Sequence, residues 1–195
     1  GEAIEWTLEE ARKAVNAGAA LYGGIDIGRH HDLTSLIVVE KTAGIHILRK
    51  RIDLVRTMFS HQEAEIYAWV EICRRACIDS TGLGMQFAER AGQKFGRKIE
   101  GVNFSAAVKE DLAYPVRSAF EDLAIRISFA DDKLISDIRK IRKETTASGN
   151  IRFVADSDDE GHADRFWSLA LAIHAGKTTG NEPQVICITD DDDWT

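Results

Sequence analysis

The sequence predicts an α/β fold with a mixed β-sheet, and three observations carry that prediction. The strand-like runs "YGGIDIG", "TSLIVVEK" and "GIHILRKRID" follow one another with only short polar links, as in an antiparallel meander. After them, segments of helical periodicity alternate with short apolar runs, the order of parallel strands joined by crossover helices. The last periodic segment, from His162 to Ala175, is almost wholly apolar and belongs against a sheet rather than at a surface.

Each element has its own local reason. "EWTLEEARKAVNAGAALYG" predicts a short amphipathic helix, with Thr7 as N-cap, Glu10 completing a capping box and Gly18 at the end. The three meander strands come next. In "SHQEAEIYAWVEICRR", Ile66, Trp69, Val70 and Cys73 fall on one side of a helix. "ACIDSTGLG" reads as a buried strand ending in a Gly-rich turn, "MQFAERAGQKFG" as the helix after it and "KIEGVNF" as a further strand. "AAVKEDLAYPVRSAFEDLAI" is helical, with a bend or restart expected at Pro115. "DDKLISDIRKIRKE" begins as a helix, and "RKETTASGNIRFVA" predicts a β-hairpin turning at Ser148-Gly149-Asn150, before the last helix. The expected division is a helix or linker remnant over 1–20, one domain over 21–177 and an acidic tail over 178–195. Within that tail "VICI" (185–188) is a candidate edge strand or docking segment. Gly rather than Met at position 1 suggests an excised piece of a longer protein.

With 195 residues, 44% of them apolar and 29% charged, the chain suits a single globular domain with a sizeable core. No apolar run approaches the ~18 residues of a membrane span, and the N-terminus lacks the basic-then-apolar order of a signal peptide. Cys73, Cys77 and Cys187 do not form a disulfide framework. No second Cys/His pair stands at structural-zinc spacing, so the cysteines read as buried thiols in a reducing compartment. The net charge of −7 speaks against nucleic-acid binding through bulk charge. The acids are clustered, however, in Asp156, Asp158, Asp159 and Glu160 and again in Asp190 to Asp193. Basic groups lie elsewhere, in "LRKRIDLVR" (48–56), "QKFGRK" (93–98) and "IRKIRK" (138–143). An acidic metal site beside basic stripes gives the same sum. No G-x-x-x-x-G-K-[ST] loop is present, which argues against a Walker-type ATPase in this piece.

Three acids stand out by position. Asp26 lies in the first strand, Asp79 at the C-terminal end of a later one, and Asp164 in the first turn of the apolar last helix. Each has an ordinary alternative: a polar face of a half-exposed strand, a turn or N-cap acid, and a carboxylate answering the helix dipole. Together they form a different pattern. Acids from the first strand, a later parallel strand and the last helix can converge at one edge of a sheet, where a divalent cation relieves their repulsion. Oxygen-only ligands suit Mg²⁺ or Mn²⁺, and two such ions can activate water and stabilise the leaving oxygen of a phosphodiester.

The order of elements resembles the ribonuclease H-like fold. The segments "GIDIGRHHDLTSLIVV", "IDSTGLG", "FSAAVKEDL" and above all "GHADRFWSLALA" resemble the C-terminal nuclease domain of phage terminase large subunits, most closely those of Mu-like phages. The similarity covers most of residues 21 to 176. It implies that Asp26, Asp79 and Asp164 hold two Mg²⁺ or Mn²⁺ ions and that the domain is an endonuclease cutting concatemeric double-stranded DNA during head filling. By the same resemblance its partners are DNA, an ATPase domain outside this piece, a small terminase subunit and the portal, in the cytoplasm of an infected or lysogenic bacterial host and away from any membrane.

Several residues are expected to assist. Asp32 is a candidate auxiliary ligand, His162 a group that orients a ligand or leaving group, Lys109 a phosphate contact, and Asp158 or Asp159 a fourth acid. Arg29, Lys140, Arg142 and Lys143 are candidates for the DNA path. His30 and His31 receive no role. Three rival readings remain open at this point. A sugar-kinase/actin-like ATPase has phosphate turns loosely like "GIDIG" and "DSTGLG", but it does not explain an acid opening the last helix. A catalytically silent DNA- or portal-docking module does not explain an intact triad. A junction-resolving nuclease shares the acids without a reason for "GHADRFW".

Overall fold

A computed structural model describes residues 4–28, 33–145, 151–155 and 163–177. Its centre is a six-stranded sheet built from β1 (Leu21–Asp26), β2 (Thr34–Thr42), β3 (Ile45–Leu54), β4 (Arg75–Asp79), β5 (Ile99–Val102) and β6 (Ile125–Arg126). The spatial order is β5-β4-β1-β2-β3-β6. β1, β2 and β3 form the antiparallel meander, β4 pairs parallel to β1, and β5 and β6 add in parallel at the two edges.

Helices cover both faces. α1 (Leu8–Asn16), α2 (Phe59–Ile72) and α3 (Leu83–Phe95) lie on one side, where Leu21, Ile25, Leu36, Val38, Ala76 and Ile78 meet Ala11, Ile66, Trp69 and Phe87. α4 (Ala106–Glu121), α5 (Asp132–Lys140) and α6 (Asp164–Ala175) lie on the other, against Tyr22, Ile37, Val39 and Cys77. The alternation of side chains along a strand sorts these two lists. Odd positions of β1 face α2 and α3, and even ones face α6. Every residue of β1 is consequently buried, which removes the reading of Asp26 as the polar face of a half-exposed strand.

Local signals act as their chemistry requires. Thr7 and Glu10 close a reciprocal capping box, and Gly18 turns the chain at φ +103° just after α1. Trp6 docks α1 onto β3, its amide donating to the Arg49 carbonyl at 2.7 Å and its ring lying under the Arg49 guanidinium. β7 (Ile141–Thr145) and β8 (Ile151–Ala155) make the predicted hairpin; its turn at Ser148 to Asn150 is outside the described residues, as are residues 178–195 and "VICI" with them.

Two expectations are corrected. α4 runs through Pro115 without a restart, because Leu112, Ala113, Val116 and Ala119 are buried along one face and packing outweighs the single backbone hydrogen bond that proline forfeits. The same helix stops at Glu121 rather than reaching Ile125. Leu123 takes a left-handed φ of 54°, and Ile125 pairs with His46 as the short edge strand β6. A two-residue strand is set by its partner and leaves no periodicity to read.

α6 is the keystone of the second face. Its residues from Arg165 to Ile173 are all buried, and Leu169, Leu171 and Ile173 each contribute roughly 1.5–3 kcal/mol by burial.

Candidate metal centre

Asp26 is the last residue of β1, and Asp79 the last of β4. The parallel register aligns Ile25 with Ile78, so the next residues, Asp26 and Asp79, stand side by side on adjacent strands about 4.8 Å apart. Parity directs both side chains to the α6 face. Asp164 is the first residue of α6, which runs antiparallel to β1 over Gly24 and so delivers its N-terminus to the same sheet end.

The approach of α6 depends on glycine. A Cβ on Gly24 would lie 2.0 Å from the Ser168 carbonyl oxygen and 2.3 Å from the Ala172 amide nitrogen. Ser168 then anchors the contact, its hydroxyl donating to the Ser35 carbonyl at 2.9 Å. The second glycine of "GGIDIG" is thus required by helix-on-strand packing.

The acids act on one another electrostatically. Burial first, then the charges of Asp164 and Asp79, push the Asp26 carboxyl well above the ordinary carboxylate range, while Lys109 works in the opposite direction. Asp79 is also raised by burial, opposed by hydrogen bonds from Thr81 and by Lys109. The Thr81 amide donates to Asp79 Oδ1 at 2.8 Å, fixing one carboxylate oxygen. Thr81 is itself held, because its hydroxyl accepts from the Phe104 amide at 3.0 Å. Lys109 reaches across from α4, its ammonium 4.8 Å from the Trp167 ring centroid and 5.4 Å from that of Phe104. Two aromatic faces therefore aim this cation at the acids.

A buried carboxylate facing two others is an unfavourable arrangement that a divalent cation converts into a favourable one. The donor set is oxygen only, as Mg²⁺ and Mn²⁺ prefer, and the residues present fit such ions.

The start of α6 is secured from outside the helix. Ala163, its N-cap, is left-handed at φ 63° and offers no side-chain oxygen. Asp137 of α5 supplies one instead: its Oδ2 accepts from the Arg165 amide and from Arg165 Nη1, both at 3.2 Å. Arg165 Nε also donates to Asp53 on β3 at 2.8 Å. Arg51 pairs with Asp53 and Asp131, and Lys140 with Asp137. This buried network ties β3, α5 and α6 together one residue from Asp164.

Of the residues singled out from sequence, the structure brings Asp26, Asp79, Asp164 and Lys109 together. Lys140 goes elsewhere: it is buried with its ammonium 3.3 Å from Asp137, so it serves the interior network and not an open DNA path. Arg142 is exposed on β7. Arg29, His30, His31, Asp32, Asp158, Asp159 and His162, and the side chain of Lys143, lie outside the described residues. Thr81, Asp137, Arg165 and Trp167 were not singled out. Only Trp167 and Arg165 carried a signal, as part of "GHADRFW".

A family model described as the terminase RNaseH-like domain matches residues 23–175. The chain belongs to that family. Among solved structures, it is similar to the large terminase nuclease from thermophilic phage G20c with bound magnesium, at 26% identity and a TM-score of 0.65 over 80% of this chain and 82% of that one. The same nuclease with bound cobalt matches at 25% identity and a TM-score of 0.66, over 81% and 82%. The HK97 bacteriophage large terminase shares the fold at 13% identity and a TM-score of 0.61; the match covers 80% of this chain and 39% of that one. No curated protein matches the chain.

In this terminase RNaseH-like domain, the three acids thus meet where β1 and β4 end and α6 begins. They stand at residues 26, 79 and 164, far apart in sequence, and the fold alone brings them together.

Proposed function

We propose that this domain is the metal-dependent endonuclease of a phage large terminase, cutting double-stranded DNA by two-metal phosphodiester hydrolysis. The observation that carries this reading is the convergence of Asp26, Asp79 and Asp164 at one sheet edge, where buried Asp26 faces the charges of the other two. Magnesium and cobalt bound to the G20c nuclease, a relative of the same fold, agree with it.

In this reading Asp26, Asp79 and Asp164 hold the Mg²⁺ or Mn²⁺ ions, which when bound supply an activated water and charge stabilisation for the leaving oxygen. Thr81 fixes the orientation of Asp79. Lys109, set against Trp167 and Phe104, offers its ammonium to a phosphate oxygen. Asp32 and His162 are proposed to support the ligands or the leaving group. Arg29, Arg142 and Lys143 are proposed DNA contacts, giving affinity that falls with salt. The acidic total does not oppose this, because the metal ions offset the charge of the site. The Mu-like assignment, concatemer cutting during head filling, and an ATPase domain, small subunit and portal as partners rest on the resemblance of "GHADRFWSLALA".

The test is cleavage of supercoiled plasmid with Mn²⁺, Mg²⁺ or EDTA, beside Asp79→Ala. Metal-dependent nicking and linearisation that the variant lacks is the expected result. Undiminished cleavage by Asp79→Ala overturns the site, and no cleavage with either metal favours a silent docking module.

A further inference from the structure

A second set of potential ligands lies on the same sheet face, further from the strand ends. Cys77 on β4 and Glu100 on β5 are directly paired across the parallel register, and His174 sits in the last turn of α6 above them. Cys77 Sγ is 3.5 Å from Glu100 Oε2, and His174 Nε2 is 3.4 Å from Glu100 Oε1. One ligand atom from each of the three residues falls within 4.8 Å of the others.

From these positions we infer a zinc site formed by Cys77, Glu100 and His174, distinct from the aspartate centre and with its fourth position left to water. The donor set decides the metal. A thiolate, an imidazole and a carboxylate suit Zn²⁺ or Co²⁺, whereas Mg²⁺ and Mn²⁺ favour the oxygen-only triad. Zn–N and Zn–O near 2.0–2.1 Å give a tetrahedral edge of roughly 3.4 Å, which the His174 Nε2–Glu100 Oε1 separation matches, and Cys77 Sγ lies within 4.8 Å of both partners' ligand atoms.

The surroundings suit a bound cation. Cys77 is fully buried, and the site opens to solvent through His174 and Glu100, whose side chains are 36% and 27% exposed. Arg75, two residues before Cys77 and on the same strand face, pairs with Glu100 Oε2. It orients the carboxylate from behind and leaves Oε1 toward His174, as an outer partner of a ligand does. The site is separate from the aspartates. Cys77 is two strand residues, about 7 Å, from Asp79, and His174 is ten helical residues, about 15 Å, from Asp164. The alternative is an Arg75–Glu100–His174 ion-pair cluster that merely covers a buried thiol.

Cobalt distinguishes the two. A Cys187→Ser background removes the thiol of the C-terminal segment, and Cys73 lies buried on the opposite sheet face. Titration of this protein with Co²⁺ in the presence of Mg²⁺ should produce a near-ultraviolet thiolate-to-cobalt charge-transfer band that saturates at one equivalent and is bleached by Zn²⁺. The band should vanish in Cys77→Ser and weaken at least tenfold in cobalt affinity in His174→Ala, a half-exposed position whose variant is expected to fold. It should persist in Asp79→Asn, so failure of the nuclease reading would leave this site standing, and the reverse. Absence of the band from the folded protein, or its survival in both ligand variants, overturns the site.

Discussion

Gly24 lies directly beneath Ser168, with room for no side-chain atom between them: a Cβ there would meet the serine carbonyl oxygen at 2.0 Å. The obstacle is helix backbone, which cannot rotate aside. Gly24→Ala is therefore expected to push α6 off β1 and destabilise the domain by about 3 kcal/mol or more. Urea denaturation checks this, and nicking should fall with it, because Asp164 moves with the helix. A variant as stable as the parent would show that α6 does not pack this closely.

Asp26→Asn should separate stability from catalysis. A carboxylate raised by burial and like charges keeps its proton in the folded state at pH values where the unfolded chain has released it. Its contribution to stability is thus fullest below the ordinary value of 3.8 and is lost as pH rises through the folded value. In EDTA at neutral pH, Asp26→Asn is expected to unfold at a higher urea concentration than the parent, with nicking at background. Added Mn²⁺ should stabilise the parent and leave the variant nearly unmoved. A lower unfolding midpoint for the variant in EDTA would contradict the repulsion.

Arg165 tests the network beside the three acids. Removing it leaves half-buried Asp53 with Arg51 and buried Asp137 with Lys140 but breaks the link between them, and Arg165→Met is expected to cost about 1–3 kcal/mol. Arg165→Lys should not restore this, because Nε and Nη1 of the planar guanidinium reach Asp53 and Asp137 separately, a spread that one compact ammonium does not reproduce. Thermal unfolding of both variants is the measurement; a lysine variant equal to the parent would reduce the role of Arg165 to charge alone.

Lys109→Met should leave stability within about 1 kcal/mol, since the residue is only half-buried and its partners are ring faces. Single-turnover nicking at saturating Mn²⁺ is expected to slow roughly tenfold to a hundredfold, in line with loss of one charge donor at a reacting phosphate. Metal affinity should tighten slightly as a positive neighbour is removed. Tighter metal binding with an unchanged rate would make Lys109 a charge balancer without contact to DNA.

By itself the sequence determined the features governed by neighbours along the chain. The Thr7–Glu10 capping box, the three-strand meander, the hairpin and the apolar last helix all follow from residues within one or two turns of one another. Asp26, Asp79 and Asp164 were legible as a set because each ends or opens an element, and strand and helix ends are where sheets of this kind gather side chains. Tertiary structure alone decided the rest. Burial of one face carried α4 through Pro115, a partner strand created β6, and Asp137 capped a helix whose own N-cap residue carries no donor or acceptor side chain. It also drew Lys140 from a basic stripe into the interior, and brought Cys77, Glu100 and His174 together across 23 and 74 residues of chain. Such contacts arise when separate elements pack, and packing depends on three-dimensional shape that no periodicity or short spacing records.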